Sequence, residues 1–150
     1  MKDMPQLGMG TFRLEGDTAY NSVKMALEVG FRHIDTAQIY GNEEQVGQAI
    51  KDSNIPRSEI FLTTKVWNNK LNKTDFIASV EKSLEKLQVD SVDLLLIHWP
   101  APSNDEPMSE YLTELLKAKQ LGLTKHIGVS NFTIANLNEA MQTLDSREIF

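Results

Sequence analysis

The sequence predicts an α/β fold with a parallel sheet, because two kinds of segment alternate along its 150 residues. Short apolar runs are each followed by a longer segment in which apolar residues recur with helical period. The run from Val92 to Ile97 is almost continuously apolar, as expected for a strand buried on both faces. Strands that alternate with helices imply parallel pairing through right-handed crossovers. The five apolar runs span residues 7–11, 31–35, 60–65, 92–98 and 126–131.

The predicted helices begin and end on residues that suit those positions. Asp17 is placed to cap the first helix, and Gly30 is placed to end it. Asn42 precedes two glutamates, which are favourable beside the positive end of the second helix. Asn72 is expected to cap the third helix, and Ser109 is expected to open the fourth.

Each helical segment carries an apolar stripe, for which core packing is the simplest interpretation. The last helix follows the same rule, so we expect its stripe to be buried as well. That stripe consists of Ile134, Leu137, Met141 and Leu144.

The pattern alone leaves two architectures open, a doubly wound open sheet and part of a barrel. Gly8 and Gly10 supply two of the three glycines of a dinucleotide-binding turn, but the third is absent and no helix begins there. We therefore reject that motif. A complete (β/α)8 barrel usually needs about 250 residues, so the chain is too short to form a whole one.

The composition limits the classes of partner and the cellular compartment that we expect for this protein. The chain has 15 Lys+Arg and 21 Asp+Glu, a net charge of −6, which argues against nucleic acid as a ligand. No run approaches the roughly 20 apolar residues of a membrane span, and the start lacks the apolar core of a secretory signal. The absence of cysteine fits a reducing compartment, so we expect a cytoplasmic protein with no membrane partner.

Polar side chains that can do chemistry stand at the end of each apolar run. The carboxyl ends of barrel strands meet on one face, so these side chains are expected to converge. A single polar residue at a strand end is more often structural, but five in register favour a site. They are Thr11, Asp35, Lys65, His98, and the pair Ser130 and Asn131.

Three of these residues, together with Tyr40 from a nearby loop, are of types that suit the reduction of a carbonyl group. Lys65 is costly to bury unless it is paired, and Asp35 is its expected partner, although an ordinary buried ion pair is the simpler alternative. Reduction places negative charge on the carbonyl oxygen, which needs a proton donor. Tyr40, in the loop after Asp35, can give that proton more easily beside an ammonium group, and His98 can orient the substrate. The hydride must then come from a cofactor.

The other two histidines are interpreted as structural. His33 shares a strand face with Asp35 but lies deeper, and His126 is expected to begin a strand, away from the chemistry. None of the three histidines has the spacing of a metal site, so no metal is predicted.

At these residues the chain resembles the aldo-keto reductase family. Residues 30–37 (GFRHIDTA), followed by Tyr40 and by residues 41–47, are similar to the family's first signature. Residues 64–67, 92–100 and 128–132 follow in the family's order and spacing. The chain is similar to bacterial members of the family that reduce small aldehydes. The resemblance implies a (β/α)8 TIM-barrel type of fold, represented here by about its first five βα units.

The resemblance also implies roles for individual residues. The catalytic group would be Tyr40 as general acid, Lys65 as the cation that strengthens it, Asp35 as the partner of Lys65, and His98 as the residue that orients the carbonyl. The residues implied at the nicotinamide are Gly10, Thr11, Asp35, Ser130 and Asn131, and those at the substrate are Trp67, His98 and Trp99.

The implied activity is NADPH-dependent reduction of small aldehydes and ketones, with NADH also possible. In the family, the residues that hold the adenosine end of the cofactor would lie beyond Phe150, and residues 148–150 would begin a sixth strand. Residues 1–150 would then be the N-terminal part of one barrel domain that is monomeric when intact. We expect this chain by itself to self-associate, because its first and fifth strands would have open edges.

Two other functions remain open at this point. One is a non-catalytic fragment or binding module that keeps the barrel fold without a grip on the cofactor. The other is Schiff-base chemistry at Lys65, which requires that its amine be unpaired.

Overall fold

The computed structural model describes residues 4–102, 106–144 and 149. Its sheet is parallel and has the strand order β1-β2-β3-β4-β5, so the predicted parallel α/β fold is confirmed. The two amino-terminal strands are short, and the other three have six residues each. The strands are β1 (Met9–Gly10), β2 (His33–Asp35), β3 (Phe61–Val66), β4 (Val92–Ile97) and β5 (Thr124–Val129).

One helix follows each strand, and each helix contacts the next one along the chain. An unbroken strand order with crossovers of one hand places all helices on the same face of the sheet. A doubly wound sheet would reverse its strand order and carry helices on both faces. The winding is therefore that of a barrel. The helices are α1 (Gly16–Glu28), α2 (Glu43–Asp52), α3 (Phe76–Leu87), α4 (Met108–Gln120) and α5 (Ile134–Thr143).

Alternation along the strands separates an apolar face from a polar one. Ile34, Leu62 and Leu95 are fully buried and belong to the cluster that packs against the helices. The neighbouring positions His33 and Asp35 lie on the opposite face. That face is the interior in a barrel, and it carries the candidate site. Among the described residues, no helix is both long and apolar enough to cross a bilayer.

Three predicted helix starts are displaced. The N-cap of α1 is Glu15, and Asp17 lies in the first turn. Asn72 forms a turn before α3, where its side-chain oxygen accepts a hydrogen bond of 2.9 Å from the amide of Asp75, the actual N-cap. Helix α4 begins at Met108, one residue before Ser109. These differences arise because several polar residues near each start can satisfy the free amides, and side-chain type alone does not choose among them.

The predicted burial of the last apolar stripe is wrong. Ile134 is 79% exposed, Leu137 is 38% exposed and Met141 is 48% exposed. Leu144 is buried, but it follows the end of α5 in an extended conformation and does not continue the helical stripe. Within α5 the buried residue is Ala140, because the helix approaches its neighbours through this small side chain.

The predicted start of β5 at His126 is also wrong, since the strand begins two residues earlier at Thr124. The His126 ring lies inside the strand region and stacks on Phe61 at 6.4 Å between ring centroids. Beyond β5, Ile149 forms a parallel bridge with Ile127, where the sixth strand was expected. Glu148 and Phe150 lie outside the described residues.

A buried carboxylate joins the strands near their amino ends. Asp93 is 1% exposed and accepts hydrogen bonds from Arg57 (2.7 Å), Lys125 (2.7 Å) and the amide of Leu62 (3.0 Å). Burial alone would raise the pKa of Asp93, but these hydrogen bonds together hold it below the ordinary value. The cluster thus links β3, β4 and β5 through one carboxyl group.

We predict that Asp93→Asn lowers the free energy of unfolding by about 3 kcal/mol, because it leaves two cations beside an uncharged group. Urea unfolding followed by circular dichroism measures this value. The matched control is Glu85→Gln, which removes an exposed i,i+3 ion pair with Lys82 and should cost less than about 0.5 kcal/mol.

The difference in the free energy of unfolding between the wild type and Asp93→Asn should depend on pH. A carboxyl group whose pKa is lower in the folded state stabilises the fold above its unfolded pKa of about 3.9, and it loses this effect as the pH falls through the folded value. The gap between the wild type and Asp93→Asn should therefore be constant near neutral pH and shrink in acid. A gap that is equal at all pH values would contradict the assignment.

We also predict that the chain self-associates. Among the described residues, strand β1 pairs only with β2, and β5 has just the bridge to Ile149 on its outer side. Open strand edges favour pairing with another chain. Size-exclusion chromatography with light scattering should give a mass above that of the 16.9 kDa monomer. A compact monomer at micromolar concentration would contradict the prediction.

Candidate active site

The strand ends bring three of the expected side chains to one edge of the sheet. Asp35 is the last residue of β2, Lys65 is the penultimate residue of β3, and His98 directly follows β4. The ladder continues past the strand ends, where the His98 amide donates to the Val66 carbonyl at 3.1 Å. The convergence expected from the sequence is therefore present.

Lys65 is 7% exposed, and its ammonium group has three polar partners. Its Nζ lies 2.6 Å from Asp35 Oδ1, 3.0 Å from the Thr36 carbonyl oxygen and 3.5 Å from Tyr40 Oη. An ammonium group has three protons, so each can be directed to one of these oxygens. The charge that would be costly to bury is thus paired with Asp35 and also directed at the phenol.

Tyr40 projects from a short segment between β2 and α2. It ends the 3-10 turn Gln38–Tyr40, and the next residue, Gly41, has a φ of 68° that favours glycine. The Tyr40 ring lies 5.6 Å from the His98 ring in an edge-to-face arrangement and 5.2 Å from the Phe12 ring. The phenol oxygen therefore lies where a carbonyl group between His98 and Lys65 could reach it.

The sequence did not indicate Phe12 as a site residue, although its ring contacts that of Tyr40 while 61% exposed. An exposed aromatic residue after a strand has no distinguishing pattern. Its one signal was its position directly after Thr11, at the same strand end as the polar residues.

His98 is 8% exposed and lies near the ion pair of Lys65 and Asp35. Burial lowers its pKa, and the charge of Lys65 lowers it further, while Asp35 opposes this shift. Its Nδ1 atom is buried without a hydrogen-bond partner in the part of the chain that the structure describes. A buried N–H without an acceptor is strongly disfavoured, so we assign the proton to Nε2. His98 is therefore a neutral hydrogen-bond donor near pH 7.

The two tryptophans expected at the substrate differ in their surroundings. Trp67 is half-buried and packs edge-on against His98, with ring centroids 5.2 Å apart. Trp99 follows His98 in the chain and is 46% exposed. Trp67 thus forms a wall beside His98, and Trp99 lies at the more open side.

Four of the five residues expected at the cofactor lie at the ends of the two outer strands, and the fifth, Asp35, ends β2. A Cβ atom added at Gly10 would meet nothing within 4 Å, so the space beside this strand end is open. The Thr11 hydroxyl donates to the Asp35 carbonyl at 3.0 Å. The Asn131 amide donates to the His98 carbonyl at 2.8 Å and to Ser130 Oγ at 3.0 Å. This open, polar edge fits the nicotinamide end of a dinucleotide.

Two buried residues at the start of α2 anchor the Tyr40 segment, which is the 3-10 turn Gln38–Tyr40. The Asn42 amide donates to the carbonyls of Thr11 and Leu14, each at 2.9 Å, and its side chain makes no capping hydrogen bond to the helix. Glu43 Oε1 accepts a 2.7 Å hydrogen bond from the Thr64 hydroxyl, and burial raises the pKa of Glu43. The sequence indicated these residues only as a helix start.

The surroundings of His33 agree with its interpretation as a structural residue. His33 lies deeper than Asp35, with its Nε2 atom 3.1 Å from Thr63 Oγ1, and burial lowers its pKa. Within the described ranges, no group of three or more His, Cys, Asp or Glu side chains is arranged to hold a metal ion.

The aldo/keto reductase family model matches residues 6–149. The chain belongs to this family. It is 51% identical over 146 residues to methylglyoxal reductase DkgB of Yersinia pestis, covering 97% of this chain and 55% of the relative. It is 45% identical to glyoxal reductase of Bacillus subtilis, covering 93% of this chain and 50% of the relative.

Solved structures agree on the fold. An aldo-keto reductase from a Medee basin deep-sea metagenome library superposes with a TM-score of 0.91 at 46% identity, covering 99% of this chain and 54% of that one. The Bombyx mori aldo-keto reductase, solved in complex with NADP, gives 0.89 at 36% identity, covering 97% and 53%. The chain therefore spans about half the length of the relatives it matches, as expected for about five βα units of a barrel.

We predict that Lys65→Met raises the pKa of His98 toward its ordinary value, because it removes a positive charge and leaves Asp35 unpaired. Titration of the imidazole nitrogens by NMR measures the shift. His126 is the internal control, since no effect of Lys65 contributes to its pKa. An unchanged His98 titration would show that burial alone determines its pKa.

Proposed function

We propose that the chain carries the proton-donating part of an NADPH-dependent reductase of small aldehydes and ketones. The single observation that supports this proposal most strongly is the ammonium group of Lys65, which contacts both Asp35 Oδ1 and Tyr40 Oη. A structural ion pair needs only the carboxylate. The additional contact with the phenol of half-buried Tyr40 is a chemical arrangement for proton transfer.

Four side chains have separate roles in the proposed proton transfer. Negative charge develops on the carbonyl oxygen during reduction, and Tyr40 Oη is placed to donate a proton to it. The phenolate left behind is stabilised by Lys65 Nζ at 3.5 Å, which Asp35 holds in place at 2.6 Å. His98, as the neutral Nε2–H tautomer, can donate a hydrogen bond to the same carbonyl oxygen and orient it.

The proposed substrate is a small carbonyl compound bound between aromatic walls. Phe12 and Trp67 lie beside Tyr40 and His98 respectively, and Trp99 lies at the open side. Apolar walls also exclude water, which strengthens the hydrogen bonds made at the carbonyl. Relatives named methylglyoxal reductase and glyoxal reductase support a small substrate with an aldehyde group.

The proposed cofactor is NADPH, with NADH as the alternative, and no nucleic acid or membrane is proposed as a partner. When bound, its nicotinamide supplies the hydride. Gly10, Thr11 and Asp35 would lie beside the nicotinamide ribose, and Ser130 and Asn131 would hold the carboxamide. The open space beside Gly10 and the relative solved with NADP support this assignment.

We further propose that residues 1–150 are the N-terminal part of a single barrel domain, which is monomeric when intact and cytoplasmic. The coverage of about half of each relative supports the first point, and the absence of cysteine from the chain supports a reducing compartment. The Schiff-base alternative is not supported, because it needs an unpaired amine and Lys65 has three polar partners.

We predict that Tyr40→Phe lowers kcat for NADPH-dependent methylglyoxal reduction by about 10²- to 10⁴-fold, because the proton donor is lost. The affinity for NADPH should be unchanged. NADPH absorbance measures turnover, and fluorescence titration measures binding.

The matched control is Tyr20→Phe, which removes the hydroxyl of a tyrosine on α1 that donates to Asp52 at 3.0 Å, far from the site. It should keep full activity. Retained turnover in Tyr40→Phe would contradict the proposed mechanism. No turnover and no NADPH binding in the wild-type chain would favour the non-catalytic fragment or binding module.

A further inference from the structure

The side chain of Gln38 connects the Tyr40 segment with the strand that carries Lys65. Gln38 begins the 3-10 turn that ends at Tyr40. Its Oε1 atom accepts a hydrogen bond of 2.9 Å from the backbone amide of Trp67, two residues beyond Lys65. The side-chain amide of Gln38, two residues before Tyr40, is therefore bonded to the backbone two residues after Lys65.

The nitrogen of the same amide is held by α3. Gln38 Nε2 lies 3.2 Å from the Ser79 carbonyl oxygen, from Ser79 Oγ and from Ser83 Oγ. The Trp67 N–H can be satisfied only by an oxygen, and the Ser79 carbonyl only by a donor, so the orientation of the amide is determined. Gln38 is thus fixed between a strand end and a helix.

The contact between Tyr40 and Lys65 is sensitive to a displacement of this turn. The two side chains come from different segments, and the distance of 3.5 Å from Nζ to Oη is already at the long end for a hydrogen bond. Ile39 in the middle of the turn is 49% exposed, so packing restrains the turn little. A shift of less than 1 Å would separate the two groups.

Gln38 differs from the other anchors of this segment in its surroundings. Asn42 and Glu43 are 1% and 2% exposed, so their replacement would leave buried polar groups unpaired and endanger the fold. Gln38 is half-buried and lines an open cavity of about 410 Å³ together with Trp67, Ser79 and Ser83. Water can enter there and satisfy the groups that a variant leaves free. Gln38 can therefore be changed while the fold remains.

We propose that Gln38 is a positioning residue that sets the distance between Tyr40 Oη and Lys65 Nζ through its hydrogen bond to the Trp67 amide. The proposal rests on the proposed function in one respect, which is that the distance affects catalysis. The geometry itself can be tested without turnover.

The test compares Gln38→Met, which removes both arms of the amide, with Gln38→Glu, which keeps an oxygen for the Trp67 amide. Gln48→Met on α2 is the matched control, because Gln48 also hydrogen-bonds through its amide, to Asp52 and Gln88, but far from the site. Thermal unfolding of the three variants verifies that they remain folded.

The first measurement is made by NMR and needs no activity. In Gln38→Met, the Trp67 amide proton should move upfield, and the NOE between the Tyr40 ring and the Lys65 side chain should weaken. Both should stay unchanged in Gln48→Met. An unchanged NOE in Gln38→Met, with the Trp67 amide shifted, would overturn the proposal.

The second measurement is methylglyoxal reduction with NADPH. Gln38→Met should lower kcat about 10- to 100-fold, with KM and NADPH affinity within twofold, because misplacement affects the proton transfer rather than binding. Gln38→Glu should recover part of the loss, because it keeps the acceptor for the Trp67 amide but places its second oxygen beside the Ser79 carbonyl. A kcat within twofold of wild type in Gln38→Met would overturn the proposal. The proposed function is tested by a separate variant, since retained turnover in Tyr40→Phe would contradict that function.

Discussion

The ion pair between Lys65 and Asp35 is the contact on which the arrangement of the polar face depends. A lysine that is 7% exposed would lose several kcal/mol of hydration free energy without a partner. The carboxylate at 2.6 Å compensates the charge of the buried ammonium group, which also contacts the phenol of Tyr40. The pairing also requires β2 and β3 to lie side by side, so the site and the sheet stabilise each other.

Alternation along the strands keeps this charge apart from the apolar core. The residues next to Asp35 and Lys65 on the helix side, such as Ile34 and Val66, are fully buried against the helices. At the opposite end of the sheet, Asp93 joins β3, β4 and β5 through its own cationic partners. Both clusters pair a carboxylate with cationic side chains, but their roles differ. Asp93 is fully buried and structural, whereas the Asp35 side chain remains 30% exposed beside an open site.

The Tyr40 segment shows how a short turn can hold a reactive group with little packing of its own. Its neighbours in the chain reach three different elements, since Asn42 bonds to the loop after β1, Glu43 to β3, and Gln38 to both α3 and the end of β3. Hydrogen bonds are directional, so three of them from different sides determine a position that a few apolar contacts would not.

The sequence by itself determined the strand ends, because continuous apolar runs and the polar residues that close them are local patterns. It also identified Asp35 as the partner of Lys65, since a buried lysine needs a carboxylate on a neighbouring strand. The alternation of elements left the winding of the sheet open, and the family resemblance indicated a barrel, as the strand order shows. The exposure of Ile134 on α5 and the contacts of Phe12 and Gln38 were decided only by the tertiary structure. Each of these depends on which element lies opposite a side chain, and no local pattern carries that information.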